Sequence, residues 1–124
     1  QDKNTKDSDN LFTMNGPMIY KMARKQVYDM LNDDLKKLKI NRDEIRLVVP
    51  HQASGLAVKA YVKYGKFKPD QVMNIISYTG NCVAASLPLA LAIAFEEKKF
   101  VRGDLVYLIG TGAGLSIASS LIKF

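Results

Sequence analysis

Apolar side chains recur at three- and four-residue steps along the first third of the chain. This stripe comprises Ile19, Met22, Ala23, Val27, Met30, Leu31, Leu35 and Leu38. One apolar face at that period predicts an amphipathic helix over residues 17–38, with Pro17 suited to its first turn. A second stripe predicts a shorter helix that Ser54 caps and Gly65 ends. Its apolar positions are Leu56, Ala57, Ala60, Tyr61 and Tyr64.

Shorter apolar runs between these helices predict strands. The predicted strands cover residues 46–49, 72–78, 105–109 and 115–121. The segment 82–99 is long enough for a helix, and residues 83–95 are apolar nearly all round. A helix of that composition is expected to be buried on every side.

The predicted elements alternate and end on two strands. A short strand at residues 11–14 precedes the first helix, and residues 1–10 are polar without an apolar period, as in a disordered end. The full order is strand, helix, strand, helix, strand, helix, strand, strand. It predicts one α/β domain over residues 11–124, in which helices pack on a mixed sheet.

Two strand-to-helix corners carry polar side chains suited to chemistry. His51, the only histidine, follows one predicted strand, and Asn81 follows the next. Sites in α/β domains commonly lie at the carboxyl ends of strands. Imidazole can donate a hydrogen bond or act as acid or base near pH 7, and an amide can stabilise an oxyanion. We expect the pair to face one pocket, although a core histidine and a helix N-cap would explain each residue separately.

Two further features permit both a catalytic and a structural interpretation. Cys82 heads an apolar helix, where a thiol is activated, but a small buried residue at a tight helix start is favoured. The run from Gly110 to Gly114 lacks the spacing of a dinucleotide fingerprint, and too few residues follow it for the acidic partner. A glycine-rich hairpin explains the run, in which the backbone N–H of Ala113 is a candidate donor to a carbonyl oxygen.

Composition and charge limit the classes of partner that this chain is expected to bind. The 124 residues are 48% hydrophobic, with one cysteine and a net charge of +6. Such a chain suffices for one core, excludes an internal disulfide and fits a cytoplasmic setting. Its longest apolar run, residues 87–95, is too short to cross a bilayer, so no membrane partner is expected. The lysines are dispersed without a nucleic-acid motif, so an acidic protein or a phosphate-bearing ligand is favoured over nucleic acid.

Three motifs, taken together, resemble one enzyme family. They are His51-Gln52-Ala53, Gly80-Asn81 with Ala84-Ala85-Ser86-Leu87-Pro88-Leu89-Ala90, and Gly110-Thr111-Gly112-Ala113-Gly114. In this order and spacing they resemble the C-terminal half of 3-oxoacyl-acyl-carrier-protein synthase III, over residues 11–124. The resemblance implies the second half of a thiolase fold. It also implies an acyltransferase of fatty acid biosynthesis that condenses acyl-coenzyme A with malonyl-acyl-carrier protein, forms a homodimer and needs no cofactor.

The resemblance assigns catalytic roles to residues of this chain. His51 and Asn81 match the pair that hydrogen-bonds the malonyl thioester carbonyl and stabilises the enolate formed when carbon dioxide leaves. The backbone N–H of Ala113 matches an oxyanion-hole donor. The nucleophilic cysteine of the family lies in the absent first half. Cys82 stands where the family usually has threonine, so it is not that nucleophile, and Thr111 replaces a common phenylalanine beside the active site.

The resemblance also assigns binding roles. Gly16 and Ser54 fall where the family touches the pantetheine arm. Lys21 and Lys63 fall on the basic face that receives the carrier protein, which suits the net charge. Leu56 departs from the pattern, because the family commonly has an arginine there for carrier-protein binding.

The sequence alone is compatible with more than one function. If the chain is part of a condensing enzyme, we expect this chain alone to be inactive, since the chain lacks the nucleophile. A non-catalytic thiolase-like subunit that holds a carrier protein is the rival, and a cysteine at the expected upstream helix start would decide between the two. A related condensing enzyme of secondary metabolism is another possibility, and a nucleic-acid module would require strongly salt-dependent binding. Because residues 83–95 need a cover, we expect the chain to self-associate.

Overall fold

A three-stranded sheet forms the middle layer of the computed structural model, which describes Lys6 and residues 14–124. The sheet order is β1 (Ile45–Pro50), β2 (Leu105–Gly112) and β3 (Ser116–Lys123). β1 runs parallel to β2, and β2 runs antiparallel to β3, so the predicted mixed sheet is confirmed. The polar end at residues 1–10 and the short strand at residues 11–14 lie outside the described residues, apart from Lys6 and Met14.

Helices cover both faces of the sheet. They are α1 (Gly16–Leu38), α2 (Gly55–Lys63), α3 (Ile76–Thr79) and α4 (Ser86–Glu96). Side-chain caps fix where the first two begin. Asn15 Oδ1 accepts from the N–H of Met18 at 3.1 Å, and Ser54 Oγ accepts from the N–H of Ala57 at 3.2 Å. The Ser54 cap was predicted from the sequence and is confirmed.

The core lies in two layers, one on each face of the sheet. Successive side chains of a strand point to opposite faces, so β1 and β2 contribute to both layers. The layer under α1 and α2 includes Val27, Leu31, Val48, Val58, Tyr61, Tyr107 and Ile109. The layer under α4 includes Leu47, Val49, Met73, Ile75, Ala90, Ala94 and Val106. The described part of the chain contains no helix with the length and apolar character that a bilayer crossing requires.

The strand predicted at residues 72–78 is largely wrong. Only Val72 forms a bridge, to Val48 of β1, and residues 76–79 form the short helix α3. A side chain supplies part of the hydrogen bonding for the backbone of the segment between them. Gln52 binds the carbonyl of Met73 and the N–H of Ile75 in place of a neighbouring strand. Buried backbone groups require hydrogen-bond partners, but a side chain can provide them instead of a neighbouring strand.

The apolar helix also differs from its prediction over residues 82–99. A 3-10 turn at Val83–Ala85 precedes α4, which ends at Glu96. Within this chain α4 is buried along one face rather than on every side, because a single sheet supplies a single surface. Leu89 is 36% exposed and Phe95 is 55% exposed. The outer face of α4 is therefore apolar and uncovered.

Candidate functional site

His51 stands at the carboxyl end of the parallel strand pair. Its backbone N–H donates to the carbonyl of Ile109 at 2.8 Å, which extends the pairing of β1 with β2 by one bond. The sheet thus fixes the backbone, while the imidazole is half-buried. This burial lowers the imidazole pKa below its ordinary value, because loss of water disfavours the charged form. A neutral imidazole offers one N–H donor and one acceptor near pH 7.

Asn81 is turned toward the same corner by the glycine before it. Gly80 has φ 68° and ψ −166°, a backbone conformation that is essentially restricted to glycine. The amide oxygen Oδ1 of Asn81 accepts from the N–H of Val83 at 2.9 Å and from the hydroxyl of Ser86 at 3.3 Å. With the oxygen held by its own helix start, the NH₂ group faces the opposite way. The amide of Asn81 therefore caps the following helical segment through its oxygen, while its NH₂ group points away from that segment.

The two corners are adjacent in space. Nδ2 of Asn81 lies 3.5 Å from the carbonyl oxygen of Ala53, and the N–H of Ala53 donates to the carbonyl of His51 at 3.0 Å. A contact of 3.5 Å is a weak hydrogen bond, so the NH₂ group retains most of its capacity to donate. His51, just after β1, and Asn81, just after α3 rather than a strand, are thus brought to one exposed corner through the backbone of Ala53.

Gln52, directly after His51, was missed in the sequence. Its side chain is 0% exposed. Nε2 donates to the carbonyls of Pro50 at 2.9 Å and Met73 at 3.2 Å, and Oε1 accepts from the N–H of Ile75 at 3.0 Å. A glutamine at a corner is usually exposed. Its position directly beyond the buried run of β1 was the available signal.

Ser86 is a second residue whose role was missed. It is 1% exposed and donates to Asn81 Oδ1, so it helps to orient the amide. The available signal was its occurrence as the one polar residue in an otherwise apolar helix segment. Nearby, Val83 has φ 50°, which is strained for a β-branched side chain. The thiol of Cys82 contacts the carbonyl of Thr79 at 3.4 Å, which favours its structural interpretation.

Ala113 lies in the turn between β2 and β3. β2 runs on to Gly112, which pairs with Ser116, so the interpretation of the glycine run as a hairpin is confirmed. Because β1 and β2 are parallel, this turn and His51 share one end of the sheet. Ala113 is exposed there. Its role as an oxyanion donor stays a prediction.

The residues assigned to binding divide between the corner and the helices. Ser54 follows the His51 corner, and its hydroxyl is occupied as the α2 cap. Gly16 and Lys21 belong to the first turns of α1, and Lys21 is exposed. Lys63, at the end of α2, places Nζ 5.3 Å from the ring centroid of Tyr64.

An arginine joins the two helices beside Lys63. The guanidinium of Arg24 on α1 lies 4.8 Å from the ring centroid of Tyr64. The rings of Tyr28 and Tyr64 are 6.1 Å apart. This edge of the molecule is therefore basic and aromatic. Within residues 14–124 and Lys6, no three His, Cys, Asp or Glu side chains gather into a possible metal site.

Comparison with known proteins points to one family. The family model for the C-terminal part of 3-oxoacyl-[acyl-carrier-protein] synthase III matches residues 35–124. Beta-ketoacyl-[acyl-carrier-protein] synthase III of Helicobacter pylori strain HPAG1 is 34% identical over 111 residues, which are 90% of this chain and 34% of that protein. The crystal structure of 3-oxoacyl-[acyl-carrier-protein] synthase III from Aquifex aeolicus VF5 matches with a TM-score of 0.89 and 30% identity, covering 95% of this chain and 38% of that one.

A further structural relative bears a different name. The crystal structure of cerulenin-bound OleA from Xanthomonas campestris matches with a TM-score of 0.82 and 25% identity, over 90% of this chain and 32% of that one. The chain therefore spans about a third of the length of the relatives it matches. Its likeness to them confirms the predicted half of a thiolase-like fold.

Proposed function

The chain belongs to the 3-oxoacyl-[acyl-carrier-protein] synthase III family, and on that premise we propose that it forms the C-terminal part of a condensing enzyme in fatty acid biosynthesis. The complete protein joins acyl-coenzyme A to malonyl-acyl-carrier protein and works as a homodimer. The first half, which lies outside this chain, supplies the cysteine nucleophile. This chain alone is inactive for that reason.

One contact carries the proposal. The amide NH₂ of Asn81 faces the carbonyl of Ala53 at 3.5 Å, beside the His51 corner. Because Oδ1 of Asn81 is held by Val83 and Ser86, a ligand at this corner meets the donor end of the amide. His51 adds a second donor that is neutral near pH 7, owing to the lowered pKa of its imidazole. Two uncharged donors at one point suit a carbonyl oxygen that becomes negative during reaction.

The chemistry at this corner is the decarboxylation half of a Claisen condensation. The bond between the malonyl carboxylate and its methylene carbon breaks, carbon dioxide leaves, and the electron pair forms an enolate whose charge rests on the thioester oxygen. His51 and Asn81 donate to that oxygen. The enolate carbon then attacks the acyl thioester carbonyl, a carbon–carbon bond forms, and the nucleophile's thiolate leaves. The backbone N–H of Ala113 donates to the acyl oxygen during this attack.

The substrate arms extend from the corner across exposed residues. Gly16 and Ser54 contact pantetheine, and Lys21 and Lys63 attract the acidic carrier protein. The exposure of Ser54, Lys21 and Lys63 and the net charge of +6 support this binding mode. The exposed Leu56, where the family commonly has arginine, leaves the docking to the remaining cations.

The test uses the longer protein that contains both halves. His51→Ala and Asn81→Ala are each expected to slow carbon dioxide release from the malonyl thioester on the order of 10²–10³-fold. Acylation of the nucleophile by acyl-coenzyme A should stay unchanged, because neither side chain takes part in it.

Asn32→Ala provides the matched control. It also removes a hydrogen-bonded amide, the acceptor for the Arg42 guanidinium, near the other end of the sheet. Carbon dioxide release should equal that of the wild type. Wild-type release from either His51→Ala or Asn81→Ala would contradict the proposal.

A further inference from the structure

Two buried glutamines tie the same stretch of chain to β1, one at each end of the strand. At the amino end, Gln71 is 8% exposed. Its Nε2 donates to the carbonyls of Ile45 at 2.7 Å and Arg42 at 3.2 Å, and its Oε1 accepts from the N–H of Lys68 at 3.0 Å. At the carboxyl end, Gln52 makes three such bonds with backbone groups.

Apolar packing of Val72, Met73 and Ile75 also holds this stretch, but few backbone hydrogen bonds join it to β1. Val72 forms an isolated bridge with Val48, and the N–H of Met73 donates to the carbonyl of Val48 at 2.9 Å. Beyond Met73 the pairing stops. The backbone of Ile75 is attached to the His51 side of the sheet through Oε1 of Gln52.

Ile75 in turn supports the segment that presents Asn81. The carbonyl of Ile75 accepts from the N–H groups of Tyr78 and Thr79, each at 3.1 Å, and from the Thr79 hydroxyl at 3.0 Å. These bonds form α3, which Gly80 ends just before Asn81. The Asn81 arm, residues 75–81, is therefore anchored at its first residue by Gln52.

We propose that Gln52 is a positioning residue, which sets the separation between His51 and Asn81. It is bonded in sequence to His51 and through space to the start of the Asn81 arm, so one rigid side chain fixes both donors. This inference rests on the proposed function. Catalytic donors must be held to a fraction of an ångström, and a misplacement of about 1 Å costs on the order of 10²-fold in rate.

Gln71 is the matched control, because it makes the same number and kind of hydrogen bonds away from the site. Gln52→Met and Gln71→Met each leave two carbonyls and one N–H without their partner, so both should lower the melting temperature by similar amounts. In the longer protein, Gln52→Met is expected to lower kcat for carbon dioxide release about 10- to 100-fold, with KM for the malonyl thioester unchanged. Acylation of the nucleophile should not change. Gln71→Met should stay within about twofold of the wild type in all three quantities.

Equal losses of kcat in the two variants would overturn the proposal, as would a Gln52→Met enzyme with wild-type kcat. Should Gln52→Met not fold, Gln52→Asn replaces it, because the amide is retained but is too short to keep the bonds to both Met73 and Ile75, and the same loss of kcat is expected. The His51→Ala and Asn81→Ala enzymes separate the two hypotheses. If they release carbon dioxide normally, the proposed function fails and the positioning role with it. If they are slow while Gln52→Met is not, the positioning role alone is wrong.

Discussion

The carboxylate of Asp34 joins α1 to the sheet, and its removal is expected to destabilise the fold. Oδ2 of Asp34 accepts from the hydroxyl of Tyr107 at 2.8 Å and from that of Ser119 at 2.6 Å. Tyr107 is 1% exposed. Burial raises the pKa of the Tyr107 hydroxyl above its ordinary value, so the group remains a proton donor throughout the working pH range.

The magnitude follows from what Asp34→Ala leaves behind. A hydrogen bond to a charged acceptor contributes about 1.5–3 kcal/mol, and a buried hydroxyl without a partner costs about 1–3 kcal/mol. Asp34 is only partly buried, so water partly screens the carboxylate and the lower part of these ranges applies. The free energy of unfolding should fall by about 2–4 kcal/mol for the pair of bonds. Asp33→Ala removes an exposed carboxylate one residue away and should change it by less than about 0.5 kcal/mol.

Urea unfolding followed by far-ultraviolet circular dichroism measures these changes. In a Tyr107→Phe, Ser119→Ala background the two donors are gone, so Asp34→Ala should then cost about 1 kcal/mol or less. Unfolding of Asp34→Ala and Asp33→Ala at the same urea concentration, or an equal cost of Asp34→Ala in both backgrounds, would refute this role of Asp34.

Two more predictions concern the corner and the outer face of α4. The folded pKa of His51 is depressed, so its contribution to stability is present above the unfolded value near 6.5 and is lost as the pH falls toward the folded pKa. Stability measured between about pH 7.5 and 5.5 should therefore decline, and His51→Gln should remove that slope; an equal slope in the variant would contradict the prediction. On α4, Leu89→Glu should weaken self-association at least about tenfold in sedimentation velocity, whereas Leu56→Glu on α2, where the leucine is 74% exposed, should not. A wild-type chain that sediments as a monomer at all concentrations would contradict the expected association.

Local signals made much of the fold predictable. The apolar period of α1 and the Ser54 cap of α2 depend on neighbours a few residues away, and both elements lie where they were expected. The continuous apolar run of β2 likewise predicted a strand covered on both faces, although the strand continues to Gly112, beyond the predicted end at Ile109. For the site, His51 lies at the end of β1 as expected, whereas Asn81 follows α3 instead of a strand, and the catalytic roles of both residues stay predictions.

What escaped prediction depends on partners far away in the sequence. Residues 73–75 have the composition of a strand, but Gln52 bonds the Met73 carbonyl and the Ile75 N–H, and no local pattern distinguishes that case from a ladder. A glutamine gives no sign that it is buried until the segment it binds is known. The apolar residues all round α4 predicted that its whole surface would be buried. They did not predict that the sheet of this chain would cover only the face of Ser86, Ala90 and Ala94.

The strand pairing also fixes the order in which the corner can be assembled. Gly112 pairs with Ser116 across a tight turn, whereas Val48 and Tyr107 pair although a long segment of sequence separates them. Closing the longer loop costs more conformational entropy, so the β2–β3 hairpin should form first and receive β1 later. During synthesis on a ribosome, the imidazole would emerge long before the strand that holds its backbone. The corner is then among the last parts of the chain to mature, and truncation within the hairpin should abolish it even though every residue of the corner is present.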